Sequence, residues 1–191
     1  MGCAAWLLWA AWIAPIAADA ELPMQLSIDP ATSRVDFDIV ALWVLRRRGR
    51  FDEIEGVLSI DRSAHQARID IRIPVRSVWM KDPEHRELLL SPAFFDAEQH
   101  PEIRFRSDAF SSTASGELSV RGSLSVRGRE RRARFAVRAE GCTLDERPQD
   151  CHVHVRGSLR RSRFGMVEYS RTLADEVHLD IEVRLRPPEA R

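Results

Sequence analysis

The stretch VHVRGSLRRSRFG, residues 153–165, decides the fold of this chain. Val153, Val155, Gly157 and Leu159 are apolar or small, and the residues between them are His, Arg and Ser. A period of two is the spacing at which successive side chains of a β-strand point to opposite faces. The stretch therefore predicts a strand with one dry face and one wet face, as is typical of an antiparallel sheet.

The same division between a dry face and a wet face recurs along most of the chain. With about eight such strands and little helix, closing the sheet on itself removes edges that would otherwise leave backbone groups unpaired. The sequence therefore predicts an all-β fold, either a barrel or a sandwich of antiparallel strands. The strand-like runs are 34–41, 50–60, 67–78, 102–108, 116–128, 132–141, 151–161 and 176–185.

One short helix is predicted among the strands, in DPEHRELLLSPAFF, residues 82–95. Asp82 is a favourable N-cap residue, and Pro83 fits the first helical position. Ser91-Pro92 ends the helix, because a proline cannot continue it. Since the apolar residues 88–90 need a surface to cover, we expect this helix to close an open end of the barrel as a lid.

The interior of the barrel decides between two kinds of function. An eight-stranded barrel either fills itself with side chains or keeps room for one small ligand. Gly122 and Gly157 occupy inward positions among Val and Leu, so parts of the wall lack bulk. Glycines also serve bends and bulges of strands, and the sequence alone leaves this choice open.

The first twenty residues, MGCAAWLLWAAWIAPIAADA, have a composition of their own. They contain an apolar run that ends in the small-x-small pattern of residues 18–20, which a signal peptidase could cut. The run is shorter than the roughly 20 apolar residues that span a bilayer. We therefore expect residues 1–20 to be a signal peptide, residues 21–191 to be one barrel domain, and the mature protein to be periplasmic. The alternative is an uncleaved anchor.

Two cysteines remain after that cleavage, Cys142 and Cys151, on either side of the turn-like segment TLDERPQD. In an oxidising compartment this spacing favours a disulfide across a hairpin loop, and two free thiols are the alternative. The cysteines form no C-x-x-C pair, so the sequence does not indicate a dithiol redox enzyme.

Charge does not indicate a nucleic-acid partner. The chain has 29 basic and 29 acidic residues, and it has no basic tail. The arginine clusters at 46–48 and within 127–134 are predicted to lie at hairpin tips that face solvent.

Taken together, these segments resemble the YceI-like family over nearly all of residues 26–186. The Ser-x-x-Phe-Phe-Asp…Pro-x-Ile-x-Phe pattern of residues 91–105 and the Arg-Ser-x-Phe-Gly pattern of residues 161–165 occur in the family's order. Further landmarks are FDIVALWVLRRRGRFDEIEGVLSID at 37–61, IPVRSVWM at 73–80 and GELSVRGSLSVRGRERRARFAV at 116–137.

The chain also departs from the family pattern at four places. Relatives often carry a His just before the first strand and another just after it, where this chain has Thr32 and Ala41-Leu42. The acidic residue of the family's Arg-Ser-Asp-Phe-Gly pattern is Arg163 here, and the stretch that is often Asp-x-His-Leu reads Arg-Glu-Leu-Leu at 86–89.

The resemblance implies a lipocalin-like barrel of eight antiparallel strands that binds polyisoprenoid or related lipids. We expect non-enzymatic binding, carriage or sequestration of a long-chain isoprenoid or similar amphiphilic lipid in the lumen, such as a polyprenyl phosphate, a quinone or a fatty amide. Two other functions remain open. One is a filled barrel that acts as an interaction module, as a homodimer or with a membrane respiratory or stress-response protein; the other is an enzyme that acts on a lipid in the pocket.

Arg161 is the next inward residue after Leu159, where an apolar side chain would be expected. Two interpretations of its guanidinium are open: it meets phosphate or quinone oxygens of a lipid head group, or it forms an internal ion pair with a carboxylate. Apolar and aromatic residues could line the pocket or simply fill the core. The candidate ligand-binding residues are Phe37, Trp43, Trp79, Leu89, Phe94, Phe95, Arg161 and Phe164.

The motifs of metal and nucleophilic sites are weak. His152 and His154 lie two residues apart on one strand face, but a third ligand such as His178 is expected several residues away, and that face is the charged one. No serine lies in a G-x-S-x-G elbow, and Arg127-Gly-Arg129 belongs to a predicted hairpin turn. We therefore expect no metal and no enzymatic activity.

Overall fold

The structure of the protein is a computed structural model that describes residues 23–111, 117–142 and 151–187. Within these ranges the chain forms twelve β-strands and one α-helix, α1 (Pro83–Leu90), with short 3-10 helices at Val75–Ser77 and Arg161–Phe164. The predicted signal peptide lies outside the described residues. The strands are β1 (Met24–Ile28), β2 (Arg34–Ala41), β3 (Leu45–Phe51), β4 (Glu55–Asp61), β5 (Gln66–Pro74), β6 (Val78–Met80), β7 (Glu102–Ser107), β8 (Phe110–Ser111), β9 (Glu117–Val126), β10 (Arg129–Glu140), β11 (Cys151–Arg160) and β12 (Leu173–Arg186).

Eight of these strands form a closed antiparallel barrel. The hydrogen-bonded order is β1-β4-β5-β7-β9-β10-β11-β12, and β12 pairs back to β1 at Ser27↔Arg186 and Ile28↔Leu185. The strand order confirms the predicted eight-stranded antiparallel barrel. The ring and its buried core are built from described residues between Met24 and Arg186.

Strand β12 joins two parts of the wall because it is the longest strand. The edge of β12 that does not face β11 pairs with two strands. It pairs with β1 near the carboxyl-terminal end of β12, and with β2 over Leu173–Glu182. Strands β3 and β6 then extend the sheet beyond β2. The alternation that predicts β11 is also present in β12, so Gly157 pairs with Leu179, and Leu159 with Val177, on the inward face.

The helix begins and ends as its sequence predicts. The Asp82 carboxylate accepts a hydrogen bond from the backbone N–H of Glu84 at 3.0 Å, and Pro83 is the first helical residue. After Ser91 the chain turns back, so that the backbone N–H of Phe95 donates to the carbonyl of Leu89 at 2.9 Å. The apolar residues of α1 and this turn face the barrel interior, as expected of a lid.

The two ends of the barrel differ. At the end away from α1, the side chains of Leu26, Val137, Cys151, Val183 and Leu185 are buried and packed together. The end beneath α1 is bordered by the segment 91–97, the loop 161–172 and the β2–β3 turn. The interior is therefore closed at one end by packed core and at the other by a cover of loops and helix. No helix within the described parts of the chain is long and apolar enough to cross a bilayer.

The sequence did not predict every strand. The run 50–60 divides into the end of β3 and the strand β4, because residues 52–54 bend away from the ladder between them. Arg46, Arg47 and Arg48 lie within strand β3 and not at the hairpin tip, which is formed by residues 42–44. Consecutive charges conceal the alternation of β3, since both of its faces are wet near the barrel end. Most of the second cluster likewise lies in β10, with Arg127-Gly128 as the turn that precedes it.

Candidate functional site

The barrel encloses an apolar cavity that runs along its length. Its volume is about 170 Å³, and its exposed wall is made entirely of apolar atoms. Along β12 the lining extends from Leu173 to Val183, a strand length of about 33 Å at about 3.3 Å per residue. The residues that line the cavity therefore extend over most of the length of the strand, and the apolar wall suits an apolar ligand.

The inward glycines do not create this cavity. A Cβ atom placed on Gly157 would lie 2.5 Å from Cδ1 of Phe135, and one on Gly122 would meet the backbone oxygen of Arg106 first and would lie 2.8 Å from Cε2 of Phe105. Phe105 and Phe135 are buried and contact each other edge to face, with 5.2 Å between their ring centroids. Gly157 thus makes room for a neighbouring aromatic ring, and Gly122 for the close approach of a neighbouring backbone; neither leaves a void for a ligand.

Arg161 lines the cavity at the end nearest α1, and it is almost completely buried, with 3% of its surface exposed. All of its hydrogen bonds go to backbone carbonyl oxygens. Its Nε donates to Ala174 at 2.9 Å, one terminal nitrogen donates to Leu173 at 3.0 Å, and the other donates to Met166 at 2.6 Å and Glu168 at 2.7 Å. The guanidinium thereby ties the loop after β11 to the start of β12.

These contacts bear differently on the two interpretations of Arg161. Four of the five N–H donors of the guanidinium are bound to backbone carbonyls, so most of its hydrogen-bonding capacity is used within the protein and contact with a lipid head group stays a prediction. No carboxylate lies within ion-pair distance of Arg161 among the described residues; the nearby Asp175 accepts hydrogen bonds from Ser162 instead. Burial lowers the pKa of Arg161, and the charge of Asp175 partly opposes that shift.

The structure brings five of the eight candidate ligand-binding residues to the cavity. Leu89 comes from α1, and Phe94 and Phe95 come from the turn that follows it. The Phe95 ring contacts that of Phe51 edge to face, with the centroids 5.7 Å apart, which links this turn to the barrel wall. The five cavity-lining candidates are Phe37, Leu89, Phe94, Phe95 and Arg161.

The other three candidates lie away from the cavity wall. Trp43 is 86% exposed on the β2–β3 turn, and Trp79 is on the outer face of β6, where Arg50 lies 4.4 Å from its ring centroid. Phe164 is buried in the core next to the cavity but does not line it. That a residue is aromatic does not determine whether its side chain points into the barrel or out of it. Here Trp79 is paired with Arg50 on the neighbouring strand, and both side chains lie on the outer face.

Most of the cavity wall consists of aliphatic residues that the sequence marks only as inward-facing. Alternation identifies them as dry, and it carries no signal that separates ligand contact from core. They come from all sides of the ring, and include Ile39, Ile71, Val120, Val155, Leu159 and Leu179.

A disulfide joins Cys142 to Cys151, with a Cα–Cα distance of 4.6 Å. This bond confirms the predicted pairing and excludes the alternative of two free thiols. The residues that it encloses, 143–150, lie outside the described ranges. It connects the end of β10 to the first residue of β11 and so anchors the packed end of the barrel.

The histidines of β11 face solvent and do not converge with His178. His154 pairs with Glu182 across the strands, whereas His178 lies opposite Ser158, and a ring nitrogen of His154 contacts the carboxylate of Asp180. Within the described ranges, no three His, Cys, Asp or Glu side chains are grouped so that they could hold a metal ion.

Comparison with known proteins gives relatives in several bacteria. A UPF0312 protein of Pseudomonas savastanoi pv. phaseolicola is 30% identical over 95 residues, which are 49% of this chain and 50% of the relative. A UPF0312 protein of Shewanella denitrificans is 26% identical over 123 residues, or 64% of each chain. The chain thus matches about half the length of the first of these relatives.

Solved structures have the same fold. BcnA of Burkholderia cenocepacia is similar with a TM-score of 0.71 and 19% identity, over 82% of this chain and 98% of that one. A polyisoprenoid-binding domain from Saccharophagus degradans, implicated in plant cell wall breakdown, is similar with a TM-score of 0.70 and 14% identity, over 86% of this chain and 99% of that one.

A family model provides the broadest match. The model for the YceI-like domain matches residues 26–185, which include every strand except the first residues of β1 and the last residue of β12. This range agrees with the closed barrel and with the extent of the sequence resemblance. The chain therefore belongs to the YceI-like domain family.

Proposed function

We propose that this protein binds a long-chain isoprenoid or a similar amphiphilic lipid in its barrel lumen, and thereby carries or sequesters it. The observation that carries this proposal is the enclosed cavity, which extends along the barrel and has a wholly apolar wall. Each methylene group that moves from water into such a wall contributes about 0.8 kcal/mol, so a long apolar chain needs no directional contacts. Membership of the YceI-like family, and the polyisoprenoid-binding domain with the same fold, support the same class of ligand.

The cavity volume limits how much of the ligand enters the closed form. About 170 Å³ is close to the roughly 150 Å³ engineered cavity that accepts benzene in another protein, and below the roughly 300–1,000 Å³ of ordinary ligand pockets. A long chain therefore requires the lumen to widen. Helix α1 is suited to move, because none of its residues is buried, whereas the opposite end is packed core.

The polar head of the ligand remains outside the lumen in this proposal. The cavity wall offers no polar surface, and four of the five N–H donors of Arg161 are engaged by backbone carbonyls. A head group would therefore lie at the α1 end, next to water. The same features favour binding without catalysis, since the lumen presents no nucleophile and no pair of titratable groups among the residues that line it.

We also propose that the protein acts in the periplasm after cleavage behind Ala20. The apolar run of residues 1–20 and the disulfide between Cys142 and Cys151 support an exported protein, since disulfides persist in oxidising compartments. N-terminal sequencing of the protein recovered from a periplasmic extract tests this. A first residue of Glu21 is expected, and a chain that retains residues 1–20 in the membrane fraction would contradict it.

The lipid proposal is tested by the contents of the purified protein. Residues 21–191 are produced in bacteria, washed, denatured and extracted with organic solvent for mass spectrometry, and the emptied protein is titrated with a radiolabelled prenyl alcohol. We expect a co-purified apolar lipid and saturable uptake of one chain per barrel. Intrinsic tryptophan quenching is a poor measure of uptake, because Trp43 and Trp79 both lie outside the cavity.

A variant that fills the cavity makes the test specific. Leu179 lines the cavity, and the adjacent His178 points outward on the same strand. We expect Leu179→Trp to reduce uptake by more than about tenfold, which is 1.4 kcal/mol, and His178→Trp to leave it unchanged. Overpacking costs about 1–3 kcal/mol of stability, so urea unfolding confirms that both variants are folded. Equal uptake by both variants would overturn lumen binding.

The second candidate function is a filled barrel that acts through its surface as an interaction module, with a membrane protein or a second copy as partner. The small cavity volume is the observation that favours it. A protein that is free of lipid after purification, takes up no prenyl alcohol and is unaffected by Leu179→Trp would support this function over lipid binding.

A further inference from the structure

The turn between β2 and β3 carries apolar side chains on a backbone that does not favour them. The backbone N–H of Val44 donates to the carbonyl of Ala41 at 3.2 Å, and the two residues between them, Leu42 and Trp43, have φ angles of 48° and 69°. Positive φ at both central positions is typical of a type I′ turn, for which Asn-Gly is the favoured sequence. Leu and Trp are strained there because of their Cβ atoms, so local stability does not explain their presence.

These side chains are also exposed to solvent. Trp43 is 86% exposed, Val44 is 81% exposed and Leu42 is 54% exposed. The exposed large apolar side chains of the described residues lie almost all at this end of the barrel, which indicates a contact surface. We name Leu42, Trp43, Val44, Leu45, Val167 and Tyr169 the apolar rim.

The apolar rim lies at the covered end of the lumen. The backbone N–H of Leu42 donates to the carbonyl of Thr172 at 2.6 Å, which joins the turn to the loop that carries Tyr169. The ring of Tyr169 stacks on that of Phe94, with 6.0 Å between the centroids, and Phe94 lines the lumen. A surface that contacts the rim would therefore lie directly against the lid.

Positive charge adjoins the apolar rim. Arg46, Arg47 and Arg48 follow it along β3, and with Lys81 they border an open crevice beside α1. Acidic residues of the same region include Asp82, which lies 3.1 Å from His85, Asp38, which lies 3.6 Å from Arg46, Glu168 in the loop of the rim, and Glu84 and Glu87 of α1. Arg46, Arg47, Arg48 and Lys81 are the cations that border the crevice beside the rim, and exposed Trp and Leu beside arginines are the groups with which proteins bind an anionic bilayer surface.

We propose that the apolar rim docks this protein on an anionic phospholipid bilayer, with Leu42, Trp43 and Val44 inserted among the lipid head groups and Arg46–Arg48 held by lipid phosphates. The lid end of the lumen then faces the bilayer. This inference goes beyond lumen binding and does not require it, since the docking groups are all on the outside of the barrel.

Vesicle binding by residues 21–191 tests the proposal. Sucrose-loaded vesicles of equal parts phosphatidylglycerol and phosphatidylcholine are sedimented with the protein and compared with vesicles of phosphatidylcholine alone. We expect affinity for the anionic vesicles to be higher by more than about tenfold and to fall with added salt, because each arginine near the surface contributes to attraction. Equal binding to both vesicle types, or binding to neither, would overturn the proposal.

A pair of variants separates docking from folding. Leu42→Asn with Trp43→Gly gives the turn its favoured residues, so the melting temperature should stay the same or rise while vesicle binding falls by more than about tenfold. Trp79→Ser is the matched control, because it removes another exposed indole at a site away from the rim; we expect its binding to equal that of the wild type. Loss of binding in the control, or unchanged binding in the double variant, would contradict docking by the rim.

The indole of Trp43 reports insertion directly. Residues 21–191 contain only the tryptophans 43 and 79, so Trp79→Phe leaves Trp43 alone. Its emission should shift to shorter wavelength on anionic vesicles and be quenched by brominated acyl chains, and an emission that does not change would contradict insertion.

Two further measurements separate bilayer docking from dimerisation and from lumen binding. If the rim instead pairs two copies of the chain, sedimentation would show a dimer that Leu42→Asn with Trp43→Gly converts to a monomer, without vesicle binding, and docking would be overturned. The lumen-filled variant Leu179→Trp should still bind vesicles. Vesicle binding together with an empty lumen would therefore refute only the proposed lipid carriage.

Discussion

Arg161 shows how one buried side chain determines the structure of a barrel end. A guanidinium has several donors in a fixed planar arrangement, and here they reach the carbonyls of four residues on both sides of one loop. Among the residues that the structure describes, no carboxylate lies within ion-pair distance of this buried charge, and the carbonyl dipoles replace the hydration that it loses. The residue therefore has a structural role at the edge of the lumen.

Replacement of Arg161 by Gln should destabilise the protein by about 2–4 kcal/mol, because several buried carbonyls lose their donors at once. Urea unfolding followed by circular dichroism measures this loss. The neighbouring Arg163 is exposed, and Arg163→Gln should change the free energy of unfolding by no more than about 0.5 kcal/mol.

The same variant distinguishes a structural role from ligand contact. Arg161→Gln assayed at a temperature where it is folded should still take up prenyl alcohol. A variant of full stability that has lost uptake would mean that Arg161 holds the ligand and that its carbonyl contacts are secondary.

At the scale of single elements, the β10–β11 connection depends on a covalent bond. The disulfide closes a loop with a sequence separation of 9 and joins the ends of two paired strands. Its contribution comes mainly from restricting the unfolded chain, for which the loop-entropy relation gives about 2.7 kcal/mol. Cys151 itself is buried against the core at the packed end of the barrel.

Reduction should therefore lower the free energy of unfolding by about 2.7 kcal/mol. Urea titrations with and without dithiothreitol measure the difference. The variant Cys142→Ala with Cys151→Ala serves as the control, since it should have the lower stability under both conditions. If full reduction left the free energy of unfolding of the wild type unchanged, the disulfide would not stabilise the protein by restricting its unfolded chain.

At the scale of the whole molecule, the outer face of the barrel is covered with ion pairs. Arg104 donates two hydrogen bonds to the Asp70 carboxylate, at 3.0 and 2.6 Å, and this contact lowers the pKa of Asp70. Arg132 lowers the pKa of Asp108 in the same way, between the β10 strand and the segment after β7. These pairs connect segments that are 34 and 24 residues apart in the sequence, so each adds a small cross-link to the barrel wall.

The barrel should lose stability in acid. A carboxylate with a lowered pKa in the folded state contributes stability that is complete above about pH 5 and is lost as the pH falls through the ordinary value of about 3.9 and then the lower folded value. The Asp70 pair is partly exposed, so after discounting for solvent its share is only about 0.5 kcal/mol. Urea unfolding at a series of pH values measures this.

The variant Asp70→Asn should have a shallower decline in stability between about pH 5 and pH 2 than the wild type. Asp36→Asn removes another carboxylate of the outer face, and its decline in stability over the same pH range serves as the control. A decline of the same slope in Asp70→Asn and the wild type would show that this pair does not contribute.

The sequence by itself determined the class of fold, the position of the lid helix and the disulfide. Each of these depends on local chemistry: alternation along a strand, an N-cap and a proline at the start of a helix, and two cysteines across a short turn. The residues of 153–165 illustrate this, because their period of two places Val155 and Leu159 on the inward face of a strand before any long-range contact is known.

Only the tertiary structure decided what the inward positions do. Whether Gly157 leaves a void depends on Phe135 of a neighbouring strand, and whether Arg161 is free depends on carbonyls of a loop that folds back over it. Likewise, Trp43 and Phe94 are both aromatic in sequence, yet the barrel places one outside and one in the lumen wall. Cavities and partners arise from contacts between distant segments, and alternation records only which face of a strand is dry.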